Sequence, residues 1–336
     1  MTNAPIFLTL LSACLMISPA FSQGEDDKNV LDRSGSTKLR VASYNVYFGS
    51  VFPRDDGRAP LPEGKRSIDD RSEQFLRIHN AVSPDIWALQ EVLYSDPQRS
   101  TKTQAGIKKY FDKATGENWH TAADKKGRMV FSKYPIRWRE EIATRVFGVL
   151  IEMPASVSSR NVLLLNLHLS PSSAAEQLKS AKDTVEFLRR VERGEVPNIS
   201  EQVTILICGD FNSRSAGPPY RVLSAMNPNV PTEGKLNAIL KDTHPRQVGS
   251  RDDSTFGSVH FEGQECSVHG GRIDFFLYRS KQLLAKNCFI LNTLTLDDDT
   301  LKHYGLHRND VAADPNDKLE GKVGFDHLPL VVDFSE

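Results

Sequence analysis

The feature that most constrains this chain is how its apolar residues are grouped. From Leu39 onward, short apolar runs alternate with amphipathic stretches. Leu39–Val46, Ile86–Val92, Arg128–Ser132, Arg145–Met153, Asn161–Leu169, Val203–Cys208, Arg272–Tyr278, Lys286–Leu291 and Leu328–Phe334 read as strands, because they are short, apolar and bounded by polar residues. Helix patterns lie between them. Ser72–Val82 places Phe75, Ile78 and Val82 on one face, with Ser72 as the expected N-cap. After His168, spacings of four and three put Ala174, Leu178, Ala181, Val185 and Leu188 on one stripe, while Glu176, Lys179, Lys182, Glu186 and Arg189 fall elsewhere. Ser173 with Glu176 forms a capping box ahead of that stripe. Strand and helix in alternation imply an α/β protein. The polar segments 51–71 and 294–325 read as long loops, and no internal repeat is present.

The strand ends carry the second signal. Asn45 closes Leu39–Asn45, Glu91 closes Ile86–Glu91, and His168 closes Leu163–His168. Asp210 and Asn212 follow Ile205–Gly209, Asp274 lies inside Arg272–Leu277, and Asp326-His327 precedes the last strand. A carboxylate buried without a partner is costly. Several carboxylates at strand ends therefore point to convergence on a cation or a shared polar network. Any one of these residues alone would pass for a turn residue or a surface charge. Gly209-Asp210-Phe211-Asn212 is more telling, since Gly permits a tight turn that presents both polar side chains together.

The 336 residues are 39% hydrophobic and 25% charged, which suits a soluble protein with a substantial core. The net charge of −1 excludes a general polyanion binder but leaves room for a local basic patch. Ile6–Ile17 is uncharged and apolar, and Ala20-Phe21-Ser22 fits a small-residue cleavage site. The run falls short of the roughly 20 residues of a membrane span. Residues 1–22 are thus expected to be a signal peptide, 23–37 a flexible linker and 38–336 a catalytic domain, in a secreted or periplasmic protein. The second reading is a lipoprotein acylated at Cys14, through Leu11-Ser12-Ala13-Cys14. The apolar residues after Cys14 count against it. Cys208 reads as a small buried hydrophobe, Cys266 and Cys288 could pair, and no cysteine has zinc-site spacing.

Taken in order, these motifs resemble the endonuclease/exonuclease/phosphatase superfamily. The resemblance rests on Ser43-Tyr44-Asn45, Leu89-Gln90-Glu91-Val92, Asn166-Leu167-His168-Leu169, Gly209-Asp210-Phe211-Asn212, Arg272-Ile273-Asp274-Phe275-Phe276 and Asp326-His327. Ser132-Lys133-Tyr134-Pro135-Ile136 supports it, and it runs from about Leu39 to Phe334. It implies two packed mixed β-sheets flanked by helices, a DNase I-like four-layer α/β/β/α sandwich with its site at one edge. It implies that Glu91 binds a divalent metal, Mg²⁺ or Mn²⁺, with Asn45 and Asp326. It implies that Asp210 handles the attacking water, Asn212 positions water and phosphate, His168 and His327 donate to the phosphoryl oxygens, and Asp274 holds His327.

The resemblance implies a phosphoester substrate and leaves three kinds open: a nucleic acid, a phospholipid or a small phosphomonoester. A nuclease-like phosphodiesterase is the first expectation. Gly209–Arg214 matches the form in inositol phosphatases and tyrosyl-DNA phosphodiesterases, but the inositol phosphatases' Cys-Asp-Arg signature is replaced by Arg272-Ile-Asp-Phe-Phe. Lys108, Lys109 and Lys113 near Tyr110 and Phe111, followed by Lys125, Lys126 and Arg128, could touch a phosphate backbone. A solvated helix face is the plainer reading of them. Val51-Phe52-Pro53 is too small for a membrane-inserting loop. A catalytically inactive binding module is the reading from another class, opposed by the intact polar set. Nothing calls for a stable protein partner, and a monomer is expected.

Overall fold

The computed structural model describes residues 29–46, 51–52, 71–92, 103–214, 216–231, 236–258, 267–311 and 326–336. The expected leader 1–22, Cys14 and Cys266 lie outside these residues. Among the described cysteines, Cys208 and Cys288 are free.

Two sheets face each other. In the first, β1 (Leu39–Asn45), β2 (Ile86–Gln90), β3 (His120–Ala123), β4 (Met129–Ser132), β10 (Arg246–Gln247), β14 (Leu284–Ile290) and β15 (Leu330–Ser335) lie in the order β10-β14-β15-β1-β2-β4-β3. In the second, β5 (Ile136–Ala143), β6 (Val146–Ile151), β7 (Val162–His168), β8 (Thr204–Asp210), β9 (Lys241–Asp242) and β13 (Asp274–Arg279) lie in the order β5-β6-β7-β8-β13-β9. Both sheets are mixed: β1 and β2 pair in parallel, as do β7 and β8, while β1 and β15 are antiparallel, as are β8 and β13. A two-stranded arm, β11 (Phe256–Ser258) with β12 (Ser267–Gly271), stands apart from the two sheets.

Period-2 alternation sorts the side chains into layers. Leu39, Val41, Ile86, Ala88, Val162, Leu164, Leu206, Cys208 and Phe276 fill the layer between the sheets. Their sequence neighbours Ala42, Tyr44, Trp87 and Leu89 face outward into a second core. Helices α1 (Ser72–Val82) and α2 (Gln104–Thr115) cover it with Phe75, Ile78, Ile107 and Phe111. On the far side, Leu163, Leu165, Ile205, Ile207, Phe275 and Leu277 meet Ala181, Val185 and Leu188 of α3 (Ala174–Glu192) and Val222 and Leu223 of α4 (Pro218–Ala225). The result is the expected helix, sheet, sheet, helix sandwich. No helix of the described residues is long and apolar enough to cross a membrane.

Several local readings are corrected. Ser72 does not cap α1: Arg71 holds the cap position without a side-chain cap bond, and Ser72 is already helical and buried. The strand expected to run to Val92 stops at Gln90, because Glu91 takes a left-handed φ of 59° that no strand continues through. The loop expected over 294–325 contains a helix, α5 (Asp298–Tyr304), capped by Asp297. Within 51–71, Val51 and Phe52 are core residues, with Phe52 ringed by Phe75, Tyr110, Phe111 and Phe131. The stretch expected to be a linker, 23–37, is described from residue 29, and there it is anchored. Leu31 is buried, its carbonyl accepts from Arg40 Nη1 at 2.7 Å, and Arg33 pairs with Asp85 at 2.9 Å.

Candidate active site

At one end of the sandwich the inward rows of both sheets turn from apolar to polar. On β7 the inward row runs Val162, Leu164, Asn166, His168; on β8 it runs Leu206, Cys208, Asp210. Parallel pairing sets His168 beside Asp210, and antiparallel pairing sets Asp274, first residue of β13, beside Asp210 on its other side. The second sheet therefore delivers His168, Asp210 and Asp274 as register neighbours. The first delivers Asn45 from the end of β1, Glu91 from just past β2, and Asp326 with His327 from just ahead of β15.

The groups meet across the seam. Asn45 Nδ2 donates to Glu91 Oε1 at 3.1 Å and to Asp210 Oδ2 at 3.2 Å, and lies 3.4 Å from His327 Nε2. His168 Nε2 is 3.5 Å from Glu91 Oε1 and 3.8 Å from Asp210 Oδ2. His327 Nδ1 is bonded to Asp274 Oδ2 at 2.8 Å, which leaves Nε2 facing Asp210 Oδ2 at 3.7 Å. Asn212, left-handed at φ 47°, folds back on Asp210: its backbone N–H donates to Oδ1 at 2.7 Å and its Nδ2 to Oδ2 at 2.9 Å. Seven of the eight residues expected from the sequence are linked by these contacts, and Asp326 acts on His327 through its charge.

Two conformational requirements make this possible. Gly209 sits at φ 127°, and a Cβ there would lie 2.1 Å from the Leu167 carbonyl oxygen, so only glycine lets β8 approach β7 this closely. Glu91 would face the outer core by simple alternation after Leu89. Its left-handed backbone turns it back to the seam, where Asn45 reaches it.

The charges are strongly perturbed. Burial pushes the Asp210 carboxyl up, Asp274 and Glu91 add to this, His327 and the Asn212 N–H oppose it, and the net is about 7. Burial also opposes the His327 charge, but Asp274, Asp210 and Asp326 together outweigh it and hold its imidazolium well above the usual histidine range. His168 is pushed the other way, to about 3, by burial and then by Arg145, His327 and Arg128, so it is neutral near pH 7.

Asp210, Asp274 and His327 each offer a ligand atom within 4.8 Å of the others. Within this group His327 Nδ1 and Asp274 Oδ2 are already bonded to each other, so His327 Nε2 and Asp210 Oδ2 are the atoms left facing one another.

Sequence reasoning missed the supporting residues. Thr255 Oγ1 accepts from the Ile273 and Asp274 backbone N–H groups at 3.1 and 3.0 Å, fixing the start of β13; Thr255 lies in no strand pattern and gave no signal. Phe256 bridges His327 in β fashion and packs its ring against the imidazole at 5.2 Å. Gln177 Nε2, on α3, donates to the Ser170 and Asn212 carbonyls at 2.6 and 2.8 Å. The basic residues near Tyr110 are partly spent: Lys108 pairs with Asp112, Lys126 with Glu141, and the fully buried Arg128 with Asp124. This favours the solvated-face reading for Lys108 and Lys126, whereas Arg128 is a buried residue and lies on no solvated face.

A fold of two helix-flanked sheets with carboxylates and imidazoles at one end of the seam describes a class of phosphoester-cleaving proteins. The model of the Endonuclease/Exonuclease/phosphatase family matches residues 42–295, and the chain belongs to that family. It is 20% identical over 322 residues to Nocturnin of Drosophila melanogaster, covering 87% of this chain and 47% of that protein. It is 26% identical over 202 residues to the carbon catabolite repressor protein 4 homolog 3 of Arabidopsis thaliana, covering 54% of this chain and 41% of the relative. The chain thus spans less than half the length of these curated relatives. Among solved structures, it is similar to a mannosyl-6-phosphatase of Bacteroides thetaiotaomicron (TM-score 0.54, 15% identity, 89% of this chain and 100% of that one). It is also similar to an endonuclease/exonuclease/phosphatase of Bacteroides vulgatus (TM-score 0.53, 14% identity, 88% and 98%). At such identity the structural likeness speaks for the fold alone.

Proposed function

We propose that this chain is a divalent-metal-dependent phosphodiesterase that hydrolyses a nucleic-acid-type phosphoester by attack of water. The observation that carries the reading is the meeting of Glu91, Asn45, Asp210, Asn212, His168 and the Asp274–His327 pair at one end of the seam.

The residues fit a hard cation. Glu91, Asn45 and Asp326 offer carboxylate and amide oxygens, the donors that Mg²⁺ or Mn²⁺ prefers. Burial together with Asp274 and Glu91 raises the Asp210 carboxyl to about 7, which makes it basic enough to accept a proton from water. When bound, such an ion supplies charge neutralisation on the phosphoryl oxygens. Everything else falls to the chain's own side chains. Asp210 Oδ2 orients the attacking water and takes up its proton. Asn212 holds Asp210 in place through two hydrogen bonds. The His327 imidazolium, steadied at Nδ1 by Asp274, donates from Nε2 to a phosphoryl oxygen as charge develops. His168, neutral through burial, presents one N–H on the opposite side.

Arg145, a third exposed on the β5–β6 turn, adjoins the site through its carbonyl, which accepts from the His168 N–H at 3.1 Å, while its guanidinium pairs with Glu176 at 3.3 Å. The test is hydrolysis of a chromogenic phosphodiester, a phosphomonoester, DNA, RNA and sphingomyelin with Mg²⁺ or Mn²⁺, repeated in EDTA. Chelator-sensitive diester cleavage is expected. Cleavage that survives EDTA, or of the monoester alone, would overturn the reading. Export through the leader 1–22 is proposed on sequence alone, and N-terminal sequencing of the mature protein tests cleavage after Ser22.

A further inference from the structure

Apart from Ser132 and Thr204 at its far end, the layer between the sheets is apolar among the described residues until directly beneath the site. There, four strands each place a small polar or thiol group one step below a site residue. Ser43 lies two residues before Asn45, Asn166 two before His168, Cys208 two before Asp210, and Gln90 one before Glu91. In strands, two residues back means the same face. Gln90 is offset by one because the left-handed turn at Glu91 shifts the parity.

The four are joined. Gln90 Nε2, on the first sheet, donates to Asn166 Oδ1, on the second, at 2.8 Å, and lies 3.3 Å from Ser43 Oγ. Asn166 Nδ2 reaches back across the seam to the Leu89 and Met129 carbonyls at 2.9 and 3.3 Å. Gln90 and Asn166 are both fully buried. Two amides set in an apolar layer are an expensive way to hold sheets together, since apolar side chains of similar shape would do so at least as well. Apolar contact, however, has no preferred direction and tolerates small slips between sheets. Hydrogen bonds across the seam do not.

We infer that Gln90 and Asn166 form an inter-sheet latch that positions the two halves of the site, Asn45 and Glu91 on one sheet and His168 and Asp210 on the other, at the spacing the reaction needs. They are positioning residues and touch neither substrate nor metal. The inference rests on the proposed hydrolysis for its kinetic consequence, but its geometric consequence stands without it.

The test compares Gln90→Met, which keeps the length of the side chain, with the double variant Gln90→Met/Asn166→Leu. A latch predicts that either change lowers kcat ten- to a hundredfold with substrate KM within about threefold. It also predicts that the double variant recovers the parent's melting temperature without recovering kcat, because removing both polar partners spares stability but not alignment. A residue of purely structural worth would give activity that tracks stability, and that result would overturn the inference. Crystal structures of the parent and double variant give an answer that needs no turnover. Glu91 Oε1 and His168 Nε2, 3.5 Å apart here, should separate or spread over alternative positions in the variant. An unchanged pair would overturn the latch even if the parent proves active. An inactive parent with a displaced pair would sink the proposed function and keep the latch.

Discussion

The two sheets bring their halves of the site to the seam by different means. The second sheet does it mainly by register, with Gly209 admitting the close approach of β8 to β7. His168, Asp210 and Asp274 are neighbours across β7, β8 and β13 and continue the inward rows of those strands. The first sheet delivers Asn45 by the alternation of β1 but Glu91 and His327 by leaving the strand pattern. Glu91 faces the seam only through a left-handed residue, and His327 is held ahead of β15 by Asp274 and by the arm residue Phe256. One half inherits its geometry from the hydrogen-bond ladder. The other depends on local conformations that the chain must be held in, which is where strain at functional sites tends to collect.

This contrast sets the order of expected effects. Asp210→Ala, at the centre of the register-built half, should lower kcat by about 10²–10⁴ while leaving the melting temperature at or above the parent's, since a desolvated carboxyl is removed. His327→Ala should do much the same to turnover. Near-parental rates from both would show the roles to be misassigned. Gly209→Ala attacks the same half through its backbone. With a Cβ meeting the Leu167 carbonyl at 2.1 Å, it should cost about 3 kcal/mol or more in chemical denaturation. A variant as stable as the parent would mean the β7–β8 approach is softer than it looks.

The first sheet should answer in the opposite sense. Glu91→Gly removes a non-glycine residue from φ 59°, so stability should hold or rise by up to about 1 kcal/mol while turnover collapses. A clear loss of stability would mean that the left-handed turn is not strained. The mildest effect lies on the outside of the same sheet. His79 is pushed down to about 4 by burial and then by Lys133, and its Nδ1 accepts from Trp87 Nε1–H at 3.1 Å. A depressed histidine favours the fold at pH values above its unfolded pKa, and that stability is lost as pH falls from about 6.5 towards 4. Between pH 7 and 5.5 the loss should be about 1 kcal/mol. In urea titrations at the two pH values, a His79→Leu variant should show a smaller difference. An equal slope would remove His79 as the source.

How much of this was readable beforehand follows the same division. The second sheet's half was open to inspection, because apolar runs ending in His168 and Asp210 state both the strand and the end at which the polar group emerges. The first sheet's half was readable as residues but not as geometry. Glu91 could be named from its motif, yet nothing in Ile86–Val92 announces that the strand stops at Gln90, since backbone strain leaves no compositional mark. Strand β5 was invisible because it is largely exposed and lacks an apolar run, and α5 because seven residues carry too little periodicity. Gln90 and Asn166 stood in plain view inside quoted motifs. Their role depends on a meeting across 76 positions of sequence, which no local pattern encodes.

The anchored stretch at residues 29–37 changes where this domain should be thought to start. Arg40 is a buried guanidinium whose Nη1 relies on two backbone carbonyls, Leu31 and Val82, while its other nitrogens hold Asp333 on β15. A chain begun at residue 38 would keep every described strand yet strip one of its two backbone acceptors from this buried Nη1. Fusion partners or protease sites introduced into this protein therefore belong upstream of Asn29, and the apparent tail is better regarded as the first structural contribution of the two-sheet domain.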